Sequence, residues 1–263
     1  MDFSLLLVIA TTISGLIWCL DSVIFKRRRV ALESEFSSGQ KYRSEPILVE
    51  YARSFFPVLF LVLVLRSFLF EPFRIPSGSM MPTLLDGDFI FVSKFSYGLR
   101  LPVINTKIFD IGEPARGDVV VFRLPADPSI NYIKRVVGLP GDVVVYESAD
   151  KELSINGEVV TLELIGDYEG NPGIQISRES LGDQEHDLLH IRSRFSPGGT
   201  YVVPEGHYFV MGDNRDNSQD SRFESVRFIP EYHMVGKALR IWMNWRWPGD
   251  GGPRWGRIGQ SIE

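Results

Sequence analysis

Two apolar blocks near the N-terminus constrain this chain more than anything that follows them. The first, FSLLLVIATTISGLIWCL from Phe3 to Leu20, carries no charge and continues past Asp21 through Val23, Ile24 and Phe25. A helix of that length crosses a hydrocarbon core of about 30 Å, where every backbone amide must find its partner within the segment. A cleavable leader would carry positive charge ahead of its apolar stretch, whereas here Asp2 precedes it and Lys26-Arg27-Arg28-Arg29 follows. Lysine and arginine accumulate on the cytoplasmic side, so residues 26–50, with Lys41 and Arg43, are expected there and the N-terminus outside. The second block, FFPVLFLVLVLRSFLF from Phe55 to Phe70, is shorter and contains Arg66, which leaves a buried core helix as the rival reading. Arg66 stands near the end of the block, where a long side chain can snorkel to the headgroups, and Arg53 flanks the other end. With both blocks spanning, the expected organisation is a membrane helix over 1–25, a cytoplasmic loop over 26–52, a second membrane helix over 53–70 and an extracytoplasmic domain over 71–263.

Beyond Glu71 short β-rich runs alternate with Gly, Pro, Asn and Asp: DFIFVSKF, GDVVVFRL, NYIKRVVG, GDVVVYE, a hairpin through Asn156-Gly157, then TYVVPEGHYFVMGD and GKALRIWMNW. A mainly antiparallel β domain follows. From about 166 to 199 the periodicity weakens, and this stretch reads as an insertion or small subdomain. The net charge of −5 and the lack of a basic cluster outside 26–29 argue against nucleic acid as a partner. Cys19 is the only cysteine, so no intramolecular disulfide or cysteine metal cluster can form.

Three polar segments hold the candidate chemistry. Pro76-Ser77-Gly78-Ser79-Met80-Met81-Pro82-Thr83-Leu84 mixes turn residues with apolar ones, the mark of a loop packed against something. In Tyr132-Ile133-Lys134-Arg135-Val136-Val137, strand alternation sets Lys134 and Arg135 on opposite faces, which allows one cation to be solvated and the other desolvated. Desolvation is what makes a lysine a base, since an ordinary amine of pKa about 10.4 is neutral in well under ~1% of molecules at pH 7 to 8. Gly212-Asp213-Asn214-Arg215-Asp216-Asn217-Ser218-Gln219-Asp220-Ser221-Arg222 is a turn-prone run suited to a network of side chains holding backbone groups. A calcium loop through Asp213, Asn217 and Glu224 fits poorly, because Arg215 takes a ligand position and Ser218 stands where glycine is required.

Together, in this order behind two spans, the segments PSGSMMPTL, GDVVVF, YIKRVVGLPGD and GDNRDNSQDSR closely resemble the type I signal peptidases of bacteria, peptidase family S26, over essentially the whole chain. The resemblance implies a mainly β catalytic domain of signal-peptidase-like antiparallel fold with two N-terminal transmembrane helices. It implies a serine endopeptidase with Ser79 as nucleophile and Lys134 as general base, working through an acyl-enzyme without metal or organic cofactor. The Ser79 N–H and the Ser77 hydroxyl would form the oxyanion hole. Ser218 would orient the lysine amine, with Asp220 and Arg222 in the supporting network. Ile75, Met80, Leu84, Tyr132 and Ile133 match the walls of a shallow pocket for the −1 residue, and Phe73, Ile90 and Val121 contribute toward −3. Bulky walls would exclude all but small side chains such as alanine. The implied partners are exported preproteins, the lipid bilayer and the export translocon, at the periplasmic face of the bacterial inner membrane, with a monomer as the default state. Larger two-span members often carry a disulfide in their extra β region, and this sequence has no cysteine there.

Other chemistries fit less of the chain. His186-Asp187-Leu188-Leu189-His190 has the spacing of a helical zinc site, yet Asp187 replaces the glutamate such a site uses and no third ligand is evident. Ser148-Ala149-Asp150-Lys151 matches Ser-x-x-Lys, but no Lys-Thr-Gly follows. A membrane-tethered β module that only binds exported chains would need the apolar walls but neither Ser79 nor Lys134.

Overall fold

The computed structural model describes residues 3–25, 46–101, 106–245 and 252–262. The cationic run at 26–29, with Lys41 and Arg43, lies outside the described residues. The chain divides into two compact units, residues 1–69 with 100–106, and residues 70–99 with 107–263.

In the first unit an α-helix over Phe3–Leu20 ends in a π-turn over Asp21–Phe25, and a second over Ile47–Val64 ends in one over Leu65–Leu69. The apolar stretches Leu5–Phe25 and Ile47–Leu69, 21 and 23 residues long, are sufficient to cross a bilayer. The second helix starts at Ile47, because Ile47, Leu48 and Val49 extend the apolar run beyond Glu50 and Arg53, so it is longer than the isolated block from Phe55. Only 17% and 11% of the two stretches is buried, which is the reverse of a soluble core helix. Leu16 and Leu48 are 57% and 73% exposed, surface that lipid would cover. The helices meet where Gly15 leaves room for the Phe56 ring, with Trp18 and Phe56 centroids 5.4 Å apart.

The second unit is antiparallel β, as the spacing of apolar runs predicts. Its main sheet has seven strands in the order Phe70–Arg74, Asp88–Ser93, Met234–Asn244, Val119–Leu124, Asp127–Gly138, His207–Met211 and Ile229–Pro230. Both faces of its centre are covered. Val119, Val121 and Ile133 pack with Ile75, Met80, Leu84, Ile90 and Val92 in one cluster, while Val120, Phe122, Tyr132 and Val136 pack in another. Burial on both sides explains why Val119-Val120-Val121-Phe122 reads as an unbroken apolar run. A four-stranded sheet is built from Gly199–Val202, Val143–Glu147, Glu152–Ile155 and Glu158–Val159. Its hairpin at Asn156-Gly157 takes φ of +56° and +85°, the primed turn that this dipeptide favours.

A third sheet is formed by Leu162–Tyr168, Asn171–Leu181 and Gln184–Ile191. Ser177, Glu179 and Leu181 alternate as buried positions on one strand, and His186, Leu188 and His190 do so on the next. Polar residues occupy most of these inward positions, which is why the period-two signal is faint in the sequence.

Candidate active site

The strand Phe70–Arg74 leads into a loop closed at its base by Ile75 N–H to the Asp88 carbonyl, 2.8 Å, and Gly87 N–H to the Ile75 carbonyl, 2.9 Å. Met80 and Leu84 are fully buried and anchor the loop in the core, leaving Ser79 half-buried and Ser77 exposed between them and the strand. The far end of the loop is clamped by Arg257, which donates to the Thr83 carbonyl at 2.9 Å while pairing with the buried carboxylate of Asp88. Asp88 also accepts from the Leu85 N–H at 2.8 Å and from Asn244 at 2.7 Å. Gly259–Ile262 runs beside the strand Met234–Asn244, with Ile262 N–H donating to the Leu239 carbonyl at 2.9 Å.

Lys134 enters from the strand Asp127–Gly138. Its Nζ donates to Ser79 Oγ at 2.7 Å and to the Ile133 carbonyl at 2.9 Å, and only 4% of the residue is exposed. Burial pushes the amine down from 10.5 to about 8; Asp220 and Asp213 oppose that shift, and Arg222 adds to it. At pH 8 about half of the molecules therefore carry the neutral amine.

Alternation separates Lys134 from Arg135, but both cations are buried, which corrects the expectation that one would be solvated. Arg135, 1% exposed, makes two bonds to Asp213, at 2.9 and 2.8 Å, and one to the Gly117 carbonyl at 2.7 Å. Thr83 donates to the same Asp213 carboxylate at 2.5 Å, which ties the serine loop to the 212–222 segment. Arg135 and Asp213 are thus site residues that sequence reasoning passed over. The signal available was the pair of adjacent cations, which demanded a buried anion as soon as both were placed inside.

The 212–222 segment holds the serine loop in two more ways. Asn214 donates through its side chain to the Gly78 carbonyl at 3.0 Å and through its backbone to the Ser79 carbonyl at 3.1 Å. Gly212 is squeezed between the Ser79 carbonyl and Ser218, so that a Cβ there would lie 2.5 Å from the former and 2.3 Å from Ser218 Oγ. Ser218 is accordingly brought beside the loop and buried, yet its hydroxyl has no hydrogen-bond partner among the described residues. The expected contact between Ser218 and the lysine amine is not made here; the partners of the amine are Ser79 Oγ and the Ile133 carbonyl. Asp220 and Arg222 form a buried ion pair, and Asp220 also accepts from the Gly212 N–H at 3.0 Å. The Asp220 carboxyl stays below its ordinary range despite burial, because Arg222, that N–H and Lys134 favour its charged form.

Of the expected pocket residues, Phe73, Ile75, Met80, Leu84, Ile90, Val121 and Ile133 come together in one cluster. Phe73 faces Ile90 across the first two strands of the main sheet. Met80, Leu84 and Ile90 are fully buried, while Phe73 and Ile133 are partly accessible. Tyr132 is not with them: it packs against Phe122 in the second cluster, as alternation from Ile133 requires.

The remaining motifs resolve into structural contacts. His186 and His190 lie on one face of a strand, so the helical geometry of a zinc pair is absent. Lys151 pairs with Asp216, and Ser148 donates to the Ser196 carbonyl. Asp213, the first position of the notional calcium loop, is occupied by Arg135 and Thr83.

Known proteins show what the whole chain is similar to. A family model described as signal peptidase, peptidase S26, matches residues 48–245. The chain is 53% identical over 268 residues to a signal peptidase I of Pseudomonas fluorescens, covering 94% of each chain. It is 50% identical over 265 residues to one of Pseudomonas aeruginosa, covering 93% of each. With a signal peptidase I of Haemophilus influenzae it shares 36% identity over 301 residues, covering 92% of this chain and 86% of the other. On a match of that extent, running from the second apolar helix through the serine loop, the buried lysine and the 212–222 segment, the chain belongs to the signal peptidase family, peptidase S26.

Proposed function

We propose that this protein is a membrane-anchored serine endopeptidase that removes signal peptides from exported preproteins, with Ser79 as nucleophile and Lys134 as general base. The observation that carries this reading is the buried Lys134 amine, held 2.7 Å from Ser79 Oγ and lowered to about 8. The neutral amine takes the Ser79 proton as Oγ attacks the scissile carbonyl, and the resulting ammonium protonates the leaving amine. Lys134 then activates a water that releases the acyl-enzyme. The Ser79 N–H and the exposed Ser77 hydroxyl are the donors for the oxyanion, so Ser77→Ala should reduce turnover while leaving the fold intact.

Phe73 and Ile133 are the accessible parts of the wall that limits the −1 and −3 side chains to small ones such as alanine, with Tyr132 approaching the site from the second cluster. The two apolar helices anchor the enzyme in the bacterial inner membrane with the segment between them, residues 26–46, in the cytoplasm. The β unit then lies on the periplasmic side, where exported chains leave the translocon. Phe70, Phe91 and Trp242 support this placement: they form a partly exposed aromatic run on the strands that follow the second helix.

The test is cleavage of a preprotein with an Ala-x-Ala site by wild type, Ser79→Ala and Lys134→Ala, each with and without a chelator. The proposal expects chelator-resistant activity that both substitutions abolish. A folded Ser79→Ala protein with full activity would refute it.

A further inference from the structure

We infer that Glu179, on a strand of the third sheet, is a positioning residue for the lysine base, acting through Arg215 on the shape of the 212–222 segment. The inference rests on Lys134 being the base, as proposed above. Glu179 is 1% exposed and holds the Arg215 guanidinium with both carboxylate oxygens, one bond at 2.8 Å and the other shorter. His186, across from it on the neighbouring strand, brings Nε2 to 3.2 Å from the same carboxylate and to 3.9 Å from Asp213.

Arg215 opens the 3-10 turn Arg215–Asn217 that immediately precedes Ser218. Its backbone carbonyl accepts a bond from Arg222, the partner of Asp220, and Asp220 in turn faces Lys134 and holds the Gly212 N–H. A path of buried polar contacts therefore runs from Glu179 through Arg215 and Arg222 to Asp220, whose charge acts on the Lys134 amine. The same sheet grips the segment at two further points: Leu189 N–H donates to the Asp213 carbonyl at 2.8 Å, and Ile191 N–H to the Asp216 carboxylate at 2.7 Å. These backbone contacts set the sheet against the segment, and the Glu179 pair fixes the turn, which carries Ser218 and the carbonyl that Arg222 uses. An ornamental insertion would have no need to bury an ion pair at the far end of this path, since burying two charges is costly unless their geometry is used.

The experiment measures kcat, KM and the acidic limb of kcat/KM for Glu179→Gln and for the pair variant Glu179→Gln with Arg215→Met, using a peptide substrate and the full-length enzyme in detergent. The single variant strands a buried guanidinium and can unfold; the pair variant removes both charges and so leaves the inference testable. The amine being titrated is surrounded by Asp213, Asp220, Arg222, Tyr132 and Ser79, all unchanged in both variants. In the pair variant kcat should fall about 10- to 100-fold with KM within about twofold, the signature of a catalytic group displaced by a fraction of an ångström. The acidic limb should move to higher pH, because a relaxed 212–222 segment readmits water to the amine. A limb that stays at its wild-type pH in the pair variant, whatever the Tm, overturns the inference. Lys134→Ala in the same assay separates the two ideas: if it remains active the base assignment itself is wrong, whereas if it is inactive and the pair variant behaves as wild type only the role of Glu179 falls.

Discussion

Two adjacent cations on one strand, both buried, meet opposite electrostatic fates. Arg135 is held by two hydrogen bonds to Asp213, while the Lys134 amine has no carboxylate within bonding distance among the described residues and is dominated by desolvation. Catalysis that needs the neutral amine should reach its full value about one to two units above pH 8, fall to half at about 8 and decline about tenfold per unit further below. A kcat/KM profile that is flat between pH 6 and 9 would contradict the role given to Lys134. The Arg135–Asp213 pair behaves differently when broken, because each partner is 1% exposed. Asp213→Asn should cost about 3–5 kcal/mol, read as a lowered Tm of the detergent-solubilised protein, since it leaves a guanidinium buried without its counter-charge. Sequence patterning separates Lys134 from Arg135 but says nothing about which anion faces each, because Asp213 lies far along the chain and only folding brings it near. Ser79 is distinguished from Ser77 by family motif in the sequence and by its 2.7 Å contact in the structure.

Among the elements, the serine loop and the 212–222 segment behave as one unit joined through Asn214, Thr83 and the close approach at Gly212. Gly212→Ala should lower kcat by about 100-fold and lower Tm as well, because the new methyl must push Ser218 or the Ser79 backbone away: a shift of about 1 Å suffices for such a loss of rate, and overpacking a buried site costs about 1–3 kcal/mol. Circular dichroism together with single-turnover cleavage would separate that outcome from unfolding. The five central strands of the main sheet were legible from their apolar runs, and the hairpin from Asn156-Gly157, since hydropathy and turn chemistry agree there; Phe70–Arg74, which continues an apolar block, and the two-residue Ile229–Pro230 were not. The third sheet was not, because Ser177, Glu179, His186 and His190 fill inward positions that hydropathy reads as surface. The same substitution of charge for apolar side chains hid Glu179 as a site residue.

For the molecule as a whole, the chain passes between the two units at residues 69–70, 99–100 and 106–107. The helical unit exposes apolar side chains along its length, and the β unit has its own buried clusters. Residues 70–263 expressed without the helices should therefore keep a β-type spectrum and cleave a soluble peptide, while floating with anionic vesicles through Phe70, Phe91 and Trp242. Replacing Phe91 and Trp242 by serine should abolish flotation and leave peptide cleavage within about twofold, since Phe91 stacks on Trp242 and alternates with Ile90 and Val92, the neighbours that pack with Met80.

The clamp of Arg257 on Asp88 and the Thr83 carbonyl, with Ile262 filling the core beside Met80 and Leu84, gives that β unit a clock. Ser79 and Lys134 emerge from the ribosome well before the residues that brace the serine loop. A nascent chain that has reached residue 245 already contains the proposed catalytic pair, but the loop that carries Ser79 gains its hold at Thr83 and its apolar support only after residues 257–262 have followed.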